Sequence, residues 1–142
     1  MKNLSRIFLR IGAIFGIIYA ASFLLVTLMF AIFASPAFKD VLVEGFANGT
    51  AHSSFEGTPQ AQAEAVQIMF LIMAISFGVG GAVEVASTVF SFRAIKQPNE
   101  TSLILAIVFG AISATSFPVA GGILGLINDG KEKRRSEKLT EE

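Results

Sequence analysis

Apolar residues run almost without interruption through Phe8–Phe33, Ile68–Phe92 and Leu103–Ile127. Such runs outlast a soluble core helix and match the roughly 20 residues, at about 1.5 Å each, that cross a hydrocarbon layer about 30 Å thick. The polar segments between them carry helix punctuation. Ser35-Pro36 supplies an N-cap and a first-turn proline. Over 36–46 that follow, Phe38, Val41, Leu42 and Phe46 recur on one face, mostly away from Lys39, Asp40 and Glu44, which predicts a short amphipathic helix lying on the outer membrane surface or packed over the bundle. Asn48 to Gly57 reads as loop. Thr58-Pro59 repeats the cap-plus-proline signal and opens a helix that is polar through Gln67 and apolar to Phe92. Arg93, Lys96, Gln97 and Pro98 end that helix. Asn99 or Thr101 caps the next, with Glu100 near its positive end.

Charge decides how the last run is read. Of the 11 lysines and arginines, all but Lys39 lie at the N-terminus (Lys2, Arg6, Arg10), after the second run (Arg93, Lys96) or in the tail (Lys131, Lys133, Arg134, Arg135, Lys138). Basic residues beside span ends stay cytoplasmic during insertion. One crossing by Leu103–Ile127 would put the tail charges opposite the others, whereas a reversal keeps all ten together. Ser116-Phe117-Pro118 is the candidate turn, because proline removes an amide donor and disfavours helix at the residue before it. This predicts a hairpin of helices from about Thr101 to Thr115 and from Phe117 to Asn128. Both arms are short for a full crossing, so they need a thinned bilayer, shelter from neighbouring helices or an extension into the tail. The alternative is three spans with a kink at Pro118.

The expected fold is therefore all-α: an integral membrane helical bundle of four transmembrane helices with a short C-terminal hairpin. One domain, 1–130, holds spans at about 8–33, 66–92, 101–115 and 117–129 and an outer loop 35–65; residues 131–142 form a charged cytoplasmic tail. Composition agrees. Of 142 residues, 53% are hydrophobic and 15% charged, against about 25% charged in soluble domains. The first run exceeds the about 7–15 residues of a signal-peptide core, so it reads as an uncleaved anchor. The expected location is the plasma membrane, multi-pass, with both termini cytoplasmic.

Small residues recur four apart in every span, including Gly12 and Gly16, Gly78 and Ala82, Gly110, and Gly121 and Gly125. In lipid, apolar side chains gain little from one another, so helices associate where small residues let backbones approach. Packing within one bundle is the plain reading, and a homo-oligomer face the sharper one. Glu84 is the sole acidic residue inside an apolar run. A carboxylate there must be protonated, paired or hydrated, and marks a functional candidate. Arg10, entering from the same side, is its natural partner. Tyr19 lies within the first span and should seek a hydrogen-bond partner.

Gly78-Val79-Gly80-Gly81 lacks the Lys-Ser/Thr of a phosphate loop. Asn48-Gly49-Thr50 is a glycosylation sequon, meaningful only in a eukaryotic secretory pathway. The chain has no cysteine and a single histidine, His52, so no nucleophile–base–acid set can be assembled. No enzyme, cofactor, metal site or nucleic-acid partner is expected.

Arg10-Ile11-Gly12-Ala13-Ile14-Phe15-Gly16 after a basic N-terminus, and Phe117-Pro118-Val119-Ala120-Gly121-Gly122-Ile123-Leu124-Gly125-Leu126 before a basic tail, resemble a family of small, uncharacterised four-span membrane proteins found mainly in Gram-positive bacteria. The resemblance covers most of the spans and implies four helices and a plasma-membrane location. It brings no activity. The functional expectation is a non-enzymatic accessory, scaffolding or envelope-associated membrane protein, with the bilayer and either a second copy or another membrane protein as candidate partners. A small homo-oligomeric proton-coupled transporter or channel using Glu84 is the alternative.

Overall fold

The computed structural model describes residues 2–113 and 116–140, and all the elements among them are helices. They are α1 (Lys2–Phe33), α2 (Pro36–Ala47), α3 (Pro59–Lys96), α4 (Glu100–Ile112) and α5 (Ser116–Thr140). The chain divides into two compact units where one domain was expected. One comprises Met1–Ala21 and Gly80–Glu142, the other Ser22–Val79; α1 and α3 contribute to both.

The first unit is an up-down-up-down arrangement of helix segments, fixed by glycines at their contacts. A Cβ added at Gly110 would meet Pro118 Cβ at 2.9 Å, one at Gly122 would meet Leu103 O at 2.9 Å, and Gly125 faces Leu103. Position numbers rise on α5 as they fall on α4, so the two helices are antiparallel. A single kinked helix would instead hold Leu103 and Gly125 about 33 Å apart. The chain therefore reverses after Ile112, and the single kinked helix is excluded. Ser116, Phe117 and Pro118 form the first turn of α5, not the turn itself. The end proposed for the first arm, Thr115, lies outside the described residues.

α5 lies antiparallel to α1 as well. Gly12 faces Pro118 (Cδ at 2.6 Å from an added Cβ) and Gly121 faces Leu9 (Cγ at 2.8 Å). Ser5 Oγ donates to Gly121 O at 2.7 Å, and Phe117 stacks on Phe15 at 5.7 Å. α3 joins through Thr88 against Gly16 and through Phe90, stacked on Phe109 of α4 at 5.0 Å. Leu9, Ala94, Leu103 and Ala106 make the buried core of this unit. Gly12, Gly16, Gly110, Gly121 and Gly125 thus sit at contacts between helices that leave no room for a Cβ. Gly78 and Ala82 do not: the nearest atom to an added Cβ at Gly78 is Thr27 Cγ2, at an ordinary 3.6 Å, and Ala82 is exposed.

This arrangement brings the start of α1, the end of α3, the start of α4 and the later part of α5 to one end. A groove there is lined by Ser5, Arg6, Pro98, Asn128, Asp129 and Glu132, with the buried Leu9 and Ala94. Lys133 bridges Asp129 at 3.1 Å and Glu100 at 3.4 Å, tying α5 to α4. Arg6, Arg10, Arg93, Lys96 and the tail bases therefore share an end, because the chain turns back between α4 and α5. The tail expected as a charged appendage continues α5 as helix to Thr140.

In the second unit a run of phenylalanines joins α1 to α3. Phe23 and Phe30 meet Phe77 at 5.8 and 5.6 Å, while Phe30 and Phe33 meet Phe70 at 5.9 and 5.4 Å. Phe38 of α2 closes on Phe33 at 4.8 Å. α2 begins as expected, with Ser35 extended (φ −72°, ψ 152°) and proline in the first turn, although the serine side chain makes no cap bond. Phe38, Leu42 and Phe46 are half-buried and Val41 is exposed, so the covered face is narrower than expected. Lys39 bridges Glu64 at 2.7 Å, and Gln67 Nε2 donates to Ser35 O at 2.7 Å. After α2, Gly49 takes φ +72°, the left-handed position that glycine occupies without strain, and Asn48 Oδ1 accepts from Thr50 N at 3.0 Å.

Candidate functional site

The buried positions of α3 within the first unit are Glu84, Ser87, Thr88, Ser91 and Ala94. They follow spacings of three and four, which is one face of an α-helix. Four of the five are polar, while Val85, Val89 and Phe92 on other faces are exposed. A helix in water carries the opposite arrangement. Polar groups turned into a bundle with apolar groups outside suit a helix whose solvent is lipid.

Glu84 is only 4% exposed, and its Oε2 has no hydrogen-bond partner. The ion pair expected with Arg10 is absent: Arg10 is exposed, and among the described residues Glu84 makes no ion pair. Both groups lie toward one end of the unit, but the arginine is on an exposed face of α1 while the carboxylate is turned inward on α3. One turn along α3, Thr88 Oγ1 is buried without a partner and fills the notch left at Gly16. Ser91 is fully buried, and its Oγ is also unpartnered.

The orientation of these hydroxyls is unusual within this chain. Thr27, Ser76 and Ser136 each donate to the carbonyl four residues back, at 2.7, 2.8 and 2.8 Å. That is the ordinary way a helical hydroxyl satisfies itself. Thr88 and Ser91 make no such bond. Buried polar atoms are almost always hydrogen-bonded, so three orphaned oxygens on one face call for water or a bound ion. Ala94, one turn after Ser91, lines the groove at the basic end, where Asn128 Nδ2 is a fourth buried, unpartnered group.

Sequence reasoning found Glu84 and missed Ser87, Thr88 and Ser91. The signal was available: counting three, four and seven residues on from the lone carboxylate reaches hydroxyls each time. Tyr19 is exposed and stacks on Phe15 at 6.3 Å. His52 is exposed in the loop, and among the described residues no three His, Cys, Asp or Glu side chains cluster to hold a metal ion. Comparison with family models, curated proteins and solved structures finds no match to this chain.

Proposed function

We propose that this chain is a multi-pass integral membrane protein of the plasma membrane with a non-enzymatic accessory or scaffolding role. One observation carries the membrane assignment. α1 and α3 are long and apolar enough to cross a bilayer, and only 11% of the most apolar stretch of each is buried. The core helix of a soluble protein would be mostly covered. Here Ile17, Leu24, Leu28, Ile72, Val79 and Val89 all face outward, and burial against lipid gives each its stabilisation.

In this reading both termini are cytoplasmic, and α4–α5 forms a re-entrant hairpin in place of two full crossings. α4 itself has 13 residues, about 20 Å. The charge asymmetry requires only that the chain come back, not that it emerge on the far side. The family suggested by the terminal motifs has four spans, so a re-entrant hairpin departs from it in the last two. Protease protection of tags on the two termini in intact cells tests it: both should be shielded, and a C-terminal tag digested from outside would remove the reading. Copurification of a stable membrane partner tests the accessory role.

A second reading is favoured by the unpartnered Glu84, Thr88 and Ser91: proton handling, as in a small homo-oligomeric transporter or channel. Proton flux in reconstituted vesicles that disappears in Glu84→Gln supports it.

A further inference from the structure

We propose that Glu84, Thr88 and Ser91 form a proton-binding site that exchanges, through water drawn along this face of α3, with the basic end of the four-helix unit alone. The inference rests on the proton-handling reading and names its ligand and its side of access.

On α1 the groups with charge or a titratable proton nearest in register to Glu84 are Arg10 and Tyr19, both exposed. α4 from Thr101 and α5 to Asn128 carry none at all. On α3 the next is Arg93, exposed and nine residues on, about 13 Å along the axis. No described countercharge faces Glu84, so the ligand that neutralises it must be small. A proton meets that requirement without any further group. The way in is marked by the hydroxyls. Thr88 and Ser91 make no bond to their own carbonyls and stand one and two turns from Glu84 in the direction of Ala94, which lines the groove. Beyond Glu84 in the other direction, the next buried residue on α3 is Ala74. Polar spacing therefore continues toward the basic end and stops toward the other.

The chain has no cysteine, so single-cysteine variants report water access directly. In vesicles of known sidedness, Ser91→Cys and Thr88→Cys should react with a small hydrophilic methanethiosulfonate added to the basic side. The rate should exceed that of Val89→Cys by at least about tenfold, because only a hydrated thiol ionises to the reactive thiolate. Val89 is 55% exposed on the apolar face. In the unaltered chain, dicyclohexylcarbodiimide, which attacks protonated carboxyls, should label Glu84, with labelling that falls as pH rises on the basic side only. Glu84→Gln should remove that label.

Inert Ser91→Cys and Thr88→Cys, or labelling indifferent to pH on both sides, overturns the site and leaves the membrane reading standing. If Val89→Cys reacts as fast as Ser91→Cys, α3 is not in lipid and both fall. Labelling with the stated pH dependence but no proton flux supports the site and removes transport.

Discussion

Exchanging glycine for alanine at chosen positions separates a required close approach from mere composition. At Gly12 an added Cβ lies 2.6 and 2.7 Å from Pro118 Cδ and Cγ, and 3.0 Å from the proline nitrogen. Carbon atoms rest about 3.5–4.0 Å apart, so the gap must open by about an ångström. A proline ring cannot rotate aside, and the nitrogen is backbone, so α1 and α5 themselves must part. Overpacking of this kind costs about 1–3 kcal/mol. At Gly78 the nearest atom is an ordinary 3.6 Å away, and at Gly130 nothing lies within 4 Å. All three alanines share the helix-propensity gain of about 1 kcal/mol, which cancels when the variants are compared. Gly12→Ala should therefore fall below Gly78→Ala and Gly130→Ala by the steric cost alone, about 1–3 kcal/mol. A C-terminal fluorescent fusion, heated in detergent and run on a sizing column, gives the midpoint at which the monodisperse peak is lost. If Gly12→Ala keeps the midpoint of Gly130→Ala, the seating of Pro118 on α1 does not hold the hairpin in place.

Asn99→Ala should destabilise by about 1 kcal/mol, because Asn99 Oδ1 accepts from Ser102 N at 2.8 Å; Asn99→Asp should retain most of it, and faster amide exchange confined to the first turn of α4 would locate the loss. Phe70→Ala removes ring contacts to Phe30, Phe33 and Phe38 and should cost on the order of 2 kcal/mol, read as a lower midpoint in the same column assay. Glu64 is held below the usual carboxylate range, first by the hydrogen bond from Lys39 and then by its charge. A carboxyl lowered on folding stabilises above its unfolded pKa and loses that contribution as pH falls through the lowered value. Exchange of α2 amides, corrected for intrinsic rate, should thus quicken as the carboxylate range is entered from above. Glu64→Gln should show the quicker exchange at every pH, and an unaltered acid response in that variant would assign it to another group.

Much of the fold was legible because punctuation and periodicity are local. Thr58 Oγ1 accepts from Ala61 N at 3.3 Å, and Asn99 caps α4, both where a capping residue stands before a helical run. The reversal was misplaced for a physical reason. Proline is excluded from helix interiors by the carbonyl four residues back, but in a first turn that carbonyl lies outside the helix. Pro118 therefore marks the start of α5 rather than the bend. That it faces Gly12 and Gly110 is a tertiary fact that no window of neighbouring residues contains. The Glu84–Arg10 pairing failed likewise, since depth along a helix is readable from spacing and azimuth between two helices is not. The phenylalanine ladder of the second unit carried no local signal either, because its members are drawn from α1, α2 and α3.

The hairpin has a consequence for how such a chain would be made. Between Thr101 and Asn128 it holds no charged side chain, and both its ends return to the basic face. Seating it would require no ion to be dragged through hydrocarbon, so it can enter after α1 and α3 are in place, by docking against them. In the proposed orientation the translocation machinery has one task only, the passage of the segment between α1 and the apolar part of α3, with Lys39 and its acidic neighbours.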